Sequence, residues 1–211
     1  MNKIINIAIV GLGQVGIYLL NELNTKKKDI EIKTGKKIKI VAVSAKNINK
    51  KRKFKINKKV FFKNPLEIFD KKKVDILFEA IGQSDGVSKK IVEIALKKKI
   101  HVITPNKALI SKHGNELAKI AEFNNVNLEF EASVAGGIPI LRSIKEGLAT
   151  NKISKVYGIL NGTSNYILTE MENINQNFSE VLKKAQKLGY AEPSNPKLDL
   201  NGLDAFAKVR I

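Results

Sequence analysis

The sequence has no cysteine in its 211 residues. That excludes a disulfide framework, a thiolate zinc site, an iron–sulfur cluster and a cysteine nucleophile. It also has no long apolar run. The longest, near the start, is a handful of residues, far short of the roughly 20 that span a bilayer. Met1-Asn2-Lys3 leads straight into a strand-like run and leaves no room for a signal peptide. These absences predict a soluble, cytoplasmic protein with no membrane partner. At 43% hydrophobic content, a chain of this length holds one large domain or two modest ones. It can bury roughly 70% of its unfolded surface without staples.

Arginine is scarce. It occurs only at Arg52, Arg142 and Arg210, so 35 of the 38 basic residues are lysine, and with 20 acidic residues the net charge is +18. Such a charge first suggests a nucleic-acid binder. Lysine, however, lacks the planar fork with which arginine reads phosphates and bases, and no run of lysines is interleaved with stacking aromatics. With plentiful asparagine and isoleucine, the excess reads as compositional drift. It predicts solubility and attraction of anionic small molecules, screened beyond about 8 Å in physiological salt, and no nucleic-acid partner. His101 and His113 have no cysteine or carboxylate at ligand spacing and read as structural.

Along the chain, Ile4–Val10 is a short β-branched apolar run bounded by glycine, the profile of a buried parallel strand. Further strands fit Ile38–Ser44, Val74–Ile81, Ile100–Thr104 and Asn127–Glu131, with helices over Ile17–Leu23, Val87–Lys98 and Ser111–Phe123. This alternation predicts an α/β fold, a doubly wound parallel sheet, with a dinucleotide-binding domain over 1–135. The breaker cluster Ala135-Gly136-Gly137-Ile138-Pro139 opens a second domain, 136–211. There Ile140–Leu148, Ser164–Glu172, Ser179–Leu188 and Gly202–Ile211 read as helices, Ile153–Leu160 as a strand and Gly189–Leu200 as a loop. The last helix has no C-terminal cap or glycine stop, so the α+β second domain reads as incomplete.

Gly11-Leu12-Gly13-Gln14-Val15-Gly16 stands between the first strand and the first helix, the context that a dinucleotide fingerprint requires. Gly11 permits the tight turn, Gly13 lets the backbone approach a pyrophosphate, and Gly16 lets helix pack on strand. The helix N-terminus adds free N–H groups and a partial positive charge. The fingerprint usually places a carboxylate about 20 residues on, for the ribose 2′-hydroxyl of NAD. Here the second strand ends Val43-Ser44-Ala45-Lys46-Asn47, followed by Lys50, Lys51 and Arg52. The absent carboxylate and the basic run favour the 2′-phosphate of NADP over NAD. Ser44, Lys46, Arg52, Ile81, Gly82, Thr104 and Lys107, at or beyond the strand ends, complete the expected cofactor set with Gly11–Gly16.

Three later clusters carry the remaining chemistry. Pro105 biases Thr104 to an extended conformation and sets Lys107 at the sheet's carboxyl edge, although spacing alone leaves it open as a surface lysine. Glu131–Ile138 is glycine-rich and could turn carbonyls towards a cation, or be a bare hinge. Asp204 and Lys208 stand four residues apart and share a face if that segment is helical. They fit a surface ion pair as well as a substrate clamp with a proton relay.

The motifs G-L-G-Q-V-G, T-P-N-K, E-A-S-V-A-G-G-I-P, N-G-T-S-N-Y-I-L, G-Y-A-E-P and D-L-N-G-L-D-A-F-A-K stand in the order found in homoserine dehydrogenases. The chain resembles that family over essentially its whole length. The resemblance implies an oxidoreductase that interconverts L-aspartate 4-semialdehyde and L-homoserine with NAD(P), on the route to threonine and methionine. It implies Lys208 as general acid/base and Lys107 as second lysine at the reacting oxygen. Glu192 and Asp204, with Asp199 nearby, would hold the substrate's amino group, and Asn161, Gly162 and Thr163 would line its pocket. Backbone carbonyls of Glu131, Val134, Gly136 and Ile138 match the family's monovalent cation (Na or K) site. The resemblance further implies a homodimer in a full-length parent and a C-terminal truncation here. With Met1 as the start, it predicts no kinase domain ahead. Two alternatives remain at this point, another two-domain dehydrogenase of an amino acid or semialdehyde, and a module that binds dinucleotide without turnover.

Overall fold

A computed structural model describes residues 4–174, 177–191 and 197–211. The chain divides into two compact units, Met1–Gly147 and Leu148–Ile211.

The first unit is built on β1 (Ile4–Val10), whose Ile7–Val10 stretch is buried. A strand apolar on both faces belongs at a sheet's centre. There β1 pairs in parallel with β2 (Lys37–Ser44) on one side and β4 (Ile76–Glu79) on the other. β3 (Phe61–Phe62) extends the β2 side, and β5 (His101–Ile103) and β6 (Leu128–Glu129) extend the β4 side. The six strands run in the order β3-β2-β1-β4-β5-β6, all parallel. The order reverses between β1 and β4, so the ligand crevice of such a sheet opens at their carboxyl ends. At the opposite ends, the Asn6 backbone N–H and Nδ2 both donate to Asp75 Oδ2, at 2.7 and 2.9 Å, and fix where β4 begins beside β1.

Helices cover the sheet. Ile17 and Leu20 of α1 (Gln14–Thr25) pack with Ile7, Ile9, Leu12, Ile38 and Val43 in one core cluster. α2 (Lys27–Thr34) ends at Gly35, which takes the left-handed conformation that favours glycine. After the short α3 (Ile68–Lys71), α4 (Val87–Lys97) lies against β4, β5 and α5 (Lys107–Phe123). It buries Ile91, Val92, Ala95 and Leu96. Asp85, just before α4, accepts from Ser84, Lys112 Nζ (2.8 Å) and His113 Nε2 (2.9 Å), tying that end of α4 to α5. His101 Nδ1 accepts the Asn127 N–H. The two histidines therefore have structural partners.

α5 begins at Lys107, earlier than the expected Ser111, because the Asn106 side chain accepts the Leu109 N–H at 3.1 Å and caps it. α6 (Ile140–Arg142) passes into a π-helical turn, Ser143–Gly147. Glu131 Oε1 and Oε2 accept the N–H groups of Leu141 and Arg142, which holds α6 to the first unit. α6 and the turn after it lie within the first compact unit.

The second unit carries α7 (Gly162–Ile174), α8 (Phe178–Leu188), α9 (Lys197–Leu200) and α10 (Leu203–Arg210). Ile167, Val181, Ala185 and Ala191 form its core, flanked by Tyr166, Met171, Leu182 and Leu200. Asn177 caps α8 at its start and left-handed Gly189 ends it. Ile153–Leu160, expected as a strand, has no strand pairing, and Val156, Tyr157 and Ile159 are exposed. A strand is held by a neighbour's backbone groups, and among the described residues this unit holds no other strand. The apolar content that suggests β structure there therefore has no ladder to join.

Candidate active site

The glycine loop joins β1 to α1 at the carboxyl edge of the sheet. Gly11 has φ +92°, and a Cβ on it would lie 2.3 Å from the Ala80 carbonyl oxygen. Its N–H donates to the Ser44 carbonyl at 2.9 Å. Gly11 thus links the ends of β1, β2 and β4, and a side chain there would drive them apart. A Cβ on Gly16 would meet the Gly11 carbonyl oxygen at 1.9 Å, so the helix can start this close only with glycine. Gly13 differs, since a Cβ there would meet nothing within 4 Å. Gly13 caps α1 without a side-chain acceptor and no acidic residue stands in the first turn, so the helix dipole faces open space beside Gln14 and Val15.

The basic loop after β2 folds back on this turn. Arg52 Nε donates to the Leu12 carbonyl at 3.1 Å, Nη1 to Ile48 and Lys50, and Nη2 to Asn47 at 2.8 Å. Leu12 itself is buried. β2 ends at buried Ser44 and is followed by Ala45 and exposed Lys46, with no carboxylate. The structure therefore brings Gly11–Gly16, Ser44 and Arg52 together, with Lys46 on the intervening loop.

On the β4 side, Ile81 and left-handed Gly82 follow Glu79. Thr104 is buried, its hydroxyl donating to Glu79 Oε2 at 2.6 Å, so it serves as framework. Lys107 is the first residue of α5, and its backbone N–H donates to the Pro105 carbonyl. Sequence reasoning passed over Glu79, Ser88 and Asn106, which bind these segments together. The signal was a single carboxylate closing an otherwise apolar strand, and an asparagine in capping position ahead of a helix.

The Glu131–Ile138 loop turns through Ala135 (φ +48°) and Gly137 (φ +89°). The carbonyls of Glu131 and Ile138 accept the Val134 and Ile140 N–H groups, and each keeps a second lone pair.

In the second unit, Asn161, Thr163, Asp199, Asp204 and Lys208 come together. Asn161 Nδ2 donates to Asp199 Oδ1 (2.8 Å) and Asp204 Oδ2 (2.9 Å), while its Oδ1 accepts the Ser164 N–H and starts α7. Lys208 Nζ lies 2.6 Å from Asp204 Oδ2 and donates to the Leu160 carbonyl, also at 2.6 Å. The Asp204 and Lys208 side chains are only 12% and 22% exposed, which sets them apart from surface ion pairs. Thr163 donates to the Tyr190 carbonyl, and the Ser164 hydroxyl to that of Asp199. Gly162 opens α7. Glu192 lies outside the described residues.

Sheet order, glycine loop and switch point define a dinucleotide-binding α/β protein of the Rossmann class. Residues 11–131 match the family model described as homoserine dehydrogenase, NAD binding domain, and residues 139–211 the model described as homoserine dehydrogenase. The chain belongs to the homoserine dehydrogenase family. It is 41% identical to the homoserine dehydrogenase of Neisseria gonorrhoeae, a match covering 99% of this chain and 47% of that protein. It is 40% identical to that of Bacillus subtilis, covering 99% and 48%. Its fold is similar to the crystal structure of a homoserine dehydrogenase from Thiobacillus denitrificans, with TM-score 0.85 and 38% identity over 98% of this chain and 47% of that one. The chain spans about half the length of the curated relatives it matches.

Proposed function

We propose that this chain carries the cofactor-binding and catalytic portion of a homoserine dehydrogenase, with a dinucleotide domain followed by a substrate domain. The reaction is the reversible, NAD(P)-dependent conversion of L-aspartate 4-semialdehyde to L-homoserine. The observation that carries this reading is the half-buried Asn161–Asp199–Asp204–Lys208 network, whose parts match the family's substrate motifs.

A bound reduced nicotinamide supplies the hydride. Gly11–Gly16 cradle the pyrophosphate, with Gly13 leaving room for it and the N-terminus of α1 facing its charge. Ser44, Lys46 and Arg52 receive the adenosine ribose. The absent carboxylate after β2 supports NADP over NAD. Ile81, Gly82, Lys107 and, through its backbone, Thr104 form the remainder of the cofactor site.

Hydride arrival at an aldehyde leaves an oxyanion. An ammonium has three N–H donors, of which Asp204 and the Leu160 carbonyl take two of those on Lys208. The third is offered to the carbonyl oxygen and delivers the proton; in reverse the amine removes the alcohol proton. The family resemblance assigns Lys107 the role of second lysine for the reacting oxygen. Asp204 and Asp199, with Glu192, hold the substrate ammonium through charge-assisted hydrogen bonds. Asn161 spaces the two aspartates, and Gly162 and Thr163 line the pocket. The carbonyls of Glu131, Val134, Gly136 and Ile138 are hard oxygen donors on a sharply turned loop, a set suited to Na or K. Among the described residues no helix is long and apolar enough to cross a membrane. A cytoplasmic location and a homodimer belong to the same reading.

The test is oxidation of NADPH and NADH, in parallel, by this chain with aspartate semialdehyde, alongside cofactor-dependent thermal shift. Turnover that vanishes in Lys208→Ala supports the reading, with the faster cofactor deciding NADP against NAD. Turnover unchanged in Lys208→Ala overturns the mechanism. A cofactor-dependent shift without turnover, in this chain and in a full-length parent alike, supports a module that binds dinucleotide alone.

A further inference from the structure

Glu79, the last residue of β4, is fully buried and has no role in the chemistry above. Donors from three segments converge on its carboxylate. Oε1 accepts the Ile81 N–H at 2.7 Å and the Ser88 hydroxyl at 2.6 Å, and Oε2 accepts the Thr104 hydroxyl at 2.6 Å. Asn106 Nδ2 reaches both oxygens, at 3.4 and 3.3 Å. Each hydroxyl is also an acceptor, Thr104 Oγ1 from the Asn106 N–H and Ser88 Oγ from Asn106 Nδ2. A hydroxyl has one hydrogen, and in both cases it goes to Glu79. Asn106 Nδ2 donates to the Gln83 carbonyl as well, at 2.8 Å, while its Oδ1 caps α5 at the position that sets Lys107.

Only an all-acceptor group suits this cluster. Glutamine would put an NH2 donor where the Thr104 hydroxyl now finds an acceptor, so that hydroxyl would lose its buried hydrogen bond to this position. The place of the cluster in the sheet gives it meaning. In a doubly wound sheet the pyrophosphate lies at the first glycine loop and the adenosine ribose at the end of β2. The other nucleotide half therefore extends over the ends of β4 and β5. Those are the segments that Glu79 joins, Ile81–Gln83 on one and Thr104–Lys107 on the other.

We propose that Glu79 is a positioning residue for the nicotinamide half of the cofactor. Its carboxylate locks the loop after β4 to the loop after β5, so that one arrangement of backbone groups is presented to the nicotinamide ribose and ring. Glu79 does not touch the cofactor, and the adenosine half is indifferent to it. The proposal rests on the cofactor reading given above.

The test compares two probes on the 211-residue chain, NADPH and adenosine 2′,5′-bisphosphate, the latter carrying only the adenosine side. Calorimetric titration is run on the parent, Glu79→Gln and Ser88→Ala, with thermal unfolding in parallel. Ser88→Ala removes a single donor and keeps the proposal testable if Glu79→Gln fails to fold. In Glu79→Gln, NADPH affinity is expected to fall by about tenfold or more, with fragment affinity within about twofold of the parent. Ser88→Ala is expected to show the same selective loss, about threefold. Equal proportional loss for both probes, or no loss in the folded variants, overturns the proposal and leaves the cofactor reading intact. A parent chain that binds neither probe overturns the cofactor reading and the proposal with it.

Discussion

Asp204 and Lys208 stand one helical turn apart on α10, with Nζ 2.6 Å from Oδ2 and both side chains largely withdrawn from solvent. Lys208 is at the same time anchored to the Leu160 carbonyl. The pair is held from both sides, Asp204 by Asn161 Nδ2 and Lys208 by the Leu160 carbonyl.

Lys208→Ala removes the proposed proton donor and leaves the cofactor loop untouched. We expect kcat to fall by about 10²–10⁴-fold, with NADPH affinity unchanged by direct titration. Lys208→Arg keeps the charge but cannot give up its proton near neutral pH, so steady-state assays should show it nearly as impaired as the alanine variant.

The three fingerprint glycines separate into two kinds. Gly16→Ala places a Cβ 1.9 Å from a carbonyl oxygen, so the backbone must shift, and a loss of about 1–3 kcal/mol is expected in urea unfolding. Gly13→Ala meets no atom within 4 Å. Its stability should stay within about 1 kcal/mol of the parent, a margin set by alanine being a poorer N-cap than glycine, while its methyl obstructs the pyrophosphate and weakens dinucleotide binding.

Arg52 spends its guanidinium on four backbone carbonyls, among them that of Leu12. Arg52→Ala therefore loosens the loop as a whole, and NADH and NADPH affinities should drop together. Lys46→Ala keeps the loop and removes one exposed charge, so only NADPH should weaken. Parallel fluorescence titrations of the two cofactors distinguish these effects.

Asp85 gives the pH dependence. The hydrogen bond from Lys112, then those from Ser84 and His113, hold its carboxyl well below the usual carboxylate range. A depressed folded value means that the contribution is present above the ordinary aspartate pKa of about 3.9 and is lost as pH falls below it. Asp85→Asn should flatten the acid limb of a Tm-against-pH curve below about pH 4. The Asp85 and Lys112 side chains are both exposed, and added NaCl should shrink the difference.

The apolar runs of β1 and β2, the glycine loop and the i, i+4 spacing of Asp204 and Lys208 were legible because each is a local pattern. The start of α5 is set by the Asn106 cap, a side chain–backbone contact that the apolar periodicity from Ser111 onward does not display. Ile153–Leu160 shows the limit of local reading, since its apolar residues specify a strand only where another strand exists to pair with. Glu79 is marked in the sequence as a carboxylate closing an apolar strand, but its partners, at positions 81, 88, 104 and 106, meet only in the folded sheet.

The pairing of β1 with β4 has a consequence in time. Asn6 and Asp75 are 69 residues apart in sequence, and closing so long a loop costs roughly (3/2)RT ln n before any contact repays it. Gly11 reaches its working shape only against Ala80, so the first loop made is among the last to become competent. Refolding from denaturant should therefore regain helical signal before it regains the capacity to take up a nucleotide.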